Sequence, residues 1–162
     1  MKRPDKLILP NAELLGEVVR LLDEGKEVIL PTKGASMMPF IHTNRDSVRL
    51  VHRDQVRVGD IVLGEIARGR YVLHRIIAID AGIATLRGDG NLQGTERCRL
   101  EHVYGVADQI IRPGGKVIDA EDARFMRRVR RWNALPREAR HLFLALYRRM
   151  LGIPKNINQT EK

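Results

Sequence analysis

The chain has 162 residues, one cysteine, and 29 lysines and arginines against 20 acidic residues, for a formal net charge of +9. That length is one ordinary domain with a modest extension, and a 43% hydrophobic content is enough for a real core. Cys98 alone excludes an internal disulfide and any zinc cluster built on cysteine pairs, and no stretch approaches the roughly 20 apolar residues that span a bilayer. The charge is unevenly placed: residues up to Asp122 hold 18 basic and 18 acidic side chains, and the 11 basic and 2 acidic residues after it carry the whole excess. His42, His52, His102 and His141 show no short pairing typical of metal ligands, so the sequence calls for no metal and no cofactor.

Residues 1–10 are polar and punctuated by proline, and are expected to be loosely attached. From Asn11 to Glu24, Leu14, Leu15, Val18, Val19, Leu21 and Leu22 recur with helical period. Asn11 offers a cap and Gly25 a stop, so the spacing predicts an amphipathic helix covering one face of a sheet. Lys26 to Pro31 reads as a strand that runs directly into the turn Gly34-Ala35-Ser36-Met37-Met38-Pro39, in which the two methionines are expected in the core. Val48 and Leu50 alternate with polar residues in a half-buried strand, and Val58 to Ile66 supplies another after a turn at Gly59-Asp60. In Tyr71 to Ile79 the alternation puts Val72, His74, Ile76 and Ala78 on one face. Ala81-Gly82 closes a hairpin, Gly88-Asp89-Gly90-Asn91 makes a Gly-rich turn, and Val103 to Arg112 forms a long strand onto which Lys116 to Ile118 pairs back.

Three of these places carry the parts that nucleophilic acyl transfer needs: a hydroxyl in a small-residue turn, an imidazole in an apolar strand, and a carboxylate in a Gly-rich turn. Gly34 and Ala35 let a carbonyl approach the backbone, where the N–H groups of Ser36 and Ala35 are candidates for an oxyanion hole. Asp89 either orients His74 or simply makes the turn.

Taken together, GASMMP (34–39), VGDIV (58–62), YVLHRI (71–76), GDGN (88–91) and YGVAD (104–108) resemble the signal peptidase I family of serine endopeptidases, in its Ser-His branch. The resemblance covers roughly residues 26–112. It implies Ser36 as nucleophile, His74 as general base and Asp89 as the acid. It also implies a fold of short strands in an open barrel shared with self-cleaving repressors, and precursor or leader peptides as substrate. The branch often carries a second Asp about six residues after the first. Here that place holds Thr95, with Glu96 next to it. Self-cleavage at Ala81-Gly82 is not expected, since that bond sits in a tight turn between the base and the acid.

In the tail, Phe125, Met126, Val129 and Trp132 share one helical face among Arg124, Arg127, Arg128, Arg130 and Arg131. A second helix carries Leu142, Phe143, Leu146, Tyr147, Met150 and Leu151 in register. Such helices either lie on an anionic membrane surface, here through residues 124–151, or pack as a hairpin on the domain. Nucleic acid fits less well, because the aromatic residues are not interleaved for base stacking. The expectation is thus a mainly β (α+β) chain, cytoplasmic and either free or peripheral on the membrane. An arm and helix fill 1–25, the catalytic β domain 26–119 and the basic helical tail 120–162. The competing reading is an inactive fold relative that serves as a membrane-surface or protein-binding module.

Overall fold

The computed structural model describes residues 11–153, so the expected loose segment at residues 1–10 lies outside the described residues. Helix α1 (Asn11–Asp23) ends as its sequence predicts. Gly25 takes a φ of 74°, its N–H reaches Leu22 O, and Lys26 N–H reaches Leu21 O, closing the last turn in a Schellman pair of bonds. The helix buries Val18 and Leu22 against the sheet, and Gly105 makes this close approach possible, since a Cβ there would stand 2.8 Å from Leu22 Cδ1.

Eight antiparallel strands follow: β1 (Val28–Pro31), β2 (Ser47–Val51), β3 (Ile61–Ala67), β4 (Arg70–Asp80), β5 (Ile83–Arg87), β6 (Glu96–Arg99), β7 (Val103–Ile111) and β8 (Val117–Asp119). Their order in the sheet is β1-β2-β7-β3-β4-β5-β6, with β8 added to β7. Register shifts fall at Arg49/Leu50, Leu63/Gly64, Glu65/Ala67 and Ile76/Ala78, the kind of irregularity that bends and twists a sheet. The sheet does not close into a barrel. Among the described residues about 34% lie in strands and 30% in helices, so the fold is α+β as expected, with more helix than a mainly β chain would hold.

The hairpin turn at Ala81-Gly82 and the return of β8 onto β7 are as expected. Two local readings change. Val58 precedes β3 and is exposed, and the bulge after Ile76 turns Ala78 out of the apolar face that Val72 and Ile76 share.

The tail forms helices α2 (Ala123–Ala134) and α3 (Arg137–Met150), separated at Leu135-Pro136. Asp122 caps α2 by accepting the N–H groups of Arg124 and Phe125. Phe125, Val129 and Trp132 are buried in the main core, where Phe40 meets Phe125 and Trp132 edge-on at centroid distances of 5.5 and 6.5 Å. The apolar face of α2 is therefore spent on the domain and does not face a membrane. No helix among the described residues is long and apolar enough to cross one.

Candidate active site

Ser36 sits in the loop that leaves edge strand β1 and returns to β2. Gly34 holds a φ of 77°, and beyond it the backbone turns tightly, with Met38 N–H donating to Ala35 O and Ile41 N–H to Met37 O. Buried Met37, Met38, Phe40 and Ile41 anchor the loop in the core, as expected for the methionines, while Ser36 itself remains partly exposed. Thr32 pins the loop's base, donating its N–H and its hydroxyl to Asp46 O at 3.0 and 2.8 Å. The N–H groups of Ala35 and Ser36 donate to no group among the described residues, leaving them available to a developing oxyanion.

His74 lies in β4 opposite Val62 of β3, and both belong to the face carrying Ile76, Leu86 and Cys98. Its Nδ1 stands 3.0 Å from Oε2 of Glu96, the first residue of β6. This imidazole is nearly enclosed, with an 8% exposed side chain, and its Nε2 has no partner among the described residues.

The Ser36 turn packs on the glycine turn that follows β5. Arg87, the last residue of β5, pairs with Arg75 of β4, so Gly88 comes directly after the strand that neighbours the one carrying His74. A Cβ on Gly88 would lie 2.4 Å from Ser36 O and 3.0 Å from Ser36 Cβ. Ser36 thus occupies the space a side chain at 88 would fill. Gly90 N–H completes the contact by donating to Ser36 O at 2.7 Å, and a Cβ at Gly90 would press on Met38 O at 2.7 Å. Both glycines are there because backbone meets backbone.

Asp89 does not stand where the sequence reading placed it. Its carboxylate takes a bidentate bond from Arg75, Nε to Oδ1 at 2.8 Å and Nη2 to Oδ2 at 2.7 Å, and both side chains are almost wholly buried. Arg75 Nη1 also donates to Gly59 O, and Trp132 Nε1 of α2 donates to Asp89 O at 2.8 Å. The reason is alternation: Arg75 follows His74 in the strand and so projects from the opposite face. The carboxylate at His74 is Glu96, which the sequence left open as an alternative to Asp89, whereas the role of Arg75 was missed. An arginine between His74 and Ile76 was the available signal, because a buried guanidinium needs a carboxylate.

A second cluster fixes the far end of the Ser36 loop. Arg112 bonds Asp46 Oδ2 at 2.8 Å, Phe40 O at 3.1 Å, and Nδ1 of His42. With Nδ1 accepting, His42 Nε2 donates to the Tyr147 hydroxyl of α3 at 2.6 Å. Burial, reinforced by the Arg112 charge, holds the His42 pKa below its ordinary value, consistent with a neutral ring in this bonding pattern.

No group of three or more His, Cys, Asp and Glu side chains among the described residues is arranged to hold a metal ion. Two clefts of about 300 and 400 Å³, one bordered by Asp60, Glu121 and Met126 and the other by Arg68, Arg97 and His102, include neither Ser36 nor His74. A comparison with protein-family models found no match, and a comparison with curated proteins found none either. The chemistry of the site therefore rests on its own geometry.

Proposed function

We propose that the chain is a serine endopeptidase of the signal peptidase I kind, with the open-barrel fold of that family, acting on precursor or leader peptides. Ser36 is the nucleophile, His74 the general base, and Glu96 the group that orients the imidazole. The observation that carries this reading is the bond from His74 Nδ1 to Glu96, which leaves Nε2 as the nitrogen to take the Ser36 proton.

In the proposed reaction, Nε2 takes the Ser36 proton as Oγ attacks the peptide carbonyl, and Glu96 stabilises the imidazolium that results. The oxyanion is received by the free N–H groups at Ala35 and Ser36. His74 then returns the proton to the departing amine, and a water activated by the same nitrogen hydrolyses the acyl-enzyme. The family resemblance suggests small side chains before the cut, as in Ala-x-Ala sites.

The competing module reading has one observation in its favour: Ser36 Oγ makes no hydrogen bond among the described residues. Catalytic contacts are often loose before substrate binds, so geometry alone does not remove the candidate. A fluorophosphonate probe separates the two readings. Labelling confined to Ser36 and lost in His74→Ala is expected of the peptidase, and absence of labelling would favour the module.

The contact at Gly88 gives a sharper test. Because an added methyl would meet backbone at 2.4 Å, Gly88→Ala must shift the Ser36 turn out of its place. Misplacement of a reacting group by about 1 Å costs on the order of 100-fold, so turnover should fall by about that factor. A Gly88→Ala protein cleaving a peptide substrate at the wild-type rate would refute the proposed packing.

A further inference from the structure

The structure divides the tail's apolar residues into two sets. Leu144 is buried and Tyr147 packs against the main core, which accounts for the inner side of α3. Leu142, Leu146 and Met150 are exposed to 62, 55 and 83%, while Phe143, 46% exposed, already meets Trp132 edge-on at 5.4 Å and stacks on Tyr147 at 5.6 Å. At 100° per residue these four positions span about one quadrant of the helix, a continuous strip and not a scatter. Of the nine large apolar residues that the structure leaves exposed, six lie between Leu135 and Leu151. Single exposed apolar side chains are ordinary, whereas a cluster on one helix calls for something that covers it.

Charge selects the cover. Between Ala123 and Ile153 there are nine arginines and one acidic residue, Glu138, and none of those arginines forms a salt bridge among the described residues. In a second copy of this chain seated symmetrically on the strip, like would face like, and the arginine fields would repel. Nucleic acid would neutralise the arginines and leave leucine, phenylalanine and methionine in water. An anionic lipid surface meets both demands, since the acyl boundary takes the apolar strip and the headgroups face the guanidinium groups.

We propose that α3 seats the protein on an anionic bilayer through Leu142, Leu146, Met150 and the exposed edge of Phe143, with the exposed arginines of the tail, Arg149 next to the strip among them, against the headgroups. This is independent of the peptidase reading and is tested without activity. Full-length Ser36→Ala protein is sedimented with vesicles of phosphatidylcholine alone and of phosphatidylcholine with phosphatidylglycerol. Binding is expected only to the anionic vesicles and should weaken as salt rises.

Met150→Ser and Leu146→Ser should each lower the partition coefficient by about 50-fold, since each withdraws about three methylene-sized groups from the boundary at roughly 0.8 kcal/mol apiece. Both positions are more than half exposed, so thermal unfolding of these variants should match the parent and separates lost docking from lost folding. Equal binding to both vesicle types, binding to neither, or binding unchanged by the two substitutions would overturn the proposal. So would a dimer in sedimentation that the same substitutions dissociate, because the strip's partner would then be another copy.

Discussion

Replacing His74 by alanine should lower kcat/KM for a cleaved peptide by about 10² to 10⁴, the usual contribution of a positioned general base. Ser36→Ala should abolish acyl-enzyme formation outright, and the double variant should be no worse than Ser36→Ala alone, because the two groups act as one unit. The informative member of the series is Glu96→Gln. Its amide has nearly the size of the carboxylate but cannot stabilise the imidazolium, so kcat should fall while KM changes little. Glu96 is a quarter exposed at its side chain, so the substitution should leave the unfolding midpoint close to wild type. The measurement is steady-state kinetics on a peptide found by mass spectrometry from a library rich in Ala-x-Ala sites. Wild-type kcat in Glu96→Gln would remove Glu96 from the mechanism.

Asp89→Asn is expected to act through stability. It removes the charge partner of an arginine whose side chain is only 4% exposed, leaving a buried cation facing a neutral amide. Breaking a buried pair from one side typically costs about 3 to 5 kcal/mol, a large fraction of the roughly 5 to 15 kcal/mol that holds a domain folded. Urea unfolding should show the midpoint falling with the slope unchanged. Residual folded protein at low temperature should keep more activity than Glu96→Gln does. If Asp89→Asn instead unfolds like wild type but loses catalysis, the acid of this site has been assigned to the wrong residue. These two carboxylates, seven residues apart in the chain, therefore separate by experiment into one that serves chemistry and one that serves architecture.

Much of this frame is legible in the sequence because period and punctuation agree. Gly25 ends α1, Ala81-Gly82 turns β4 into β5, and β2, β4 and β7 show enough apolar alternation to be read directly. Strand β6 is not legible. Its Glu-Arg-Cys-Arg sequence buries only Cys98, since an edge strand needs one inward residue and can leave its other positions charged. The acid at His74 was therefore hidden with the strand that carries it. The Gly-Asp-Gly turn drew the choice to Asp89, and only strand alternation at Arg75 reveals that this carboxylate belongs to the other face. The tail shows a different limit. Apolar residues at helical spacing look alike on α2 and α3, and sequence does not say that Trp132 finds Phe40 while Met150 finds nothing. Which amphipathic face is covered depends on residues about 90 positions away.

The bond from Trp132 to the carbonyl of Asp89 bears on the order in which the protein is made. The glycine turn that supports Ser36 is tied to a helix whose tryptophan comes 43 residues later. Residues 26–112, the span that resembles a peptidase domain, emerge from a ribosome ahead of that helix. Until α2 emerges and docks, Phe40 lacks Phe125 and Trp132, and the Asp89 carbonyl lacks its donor. The segment 26–112 thus does not complete its own packing: the core around Phe40 and the turn behind Ser36 are finished only when α2 docks.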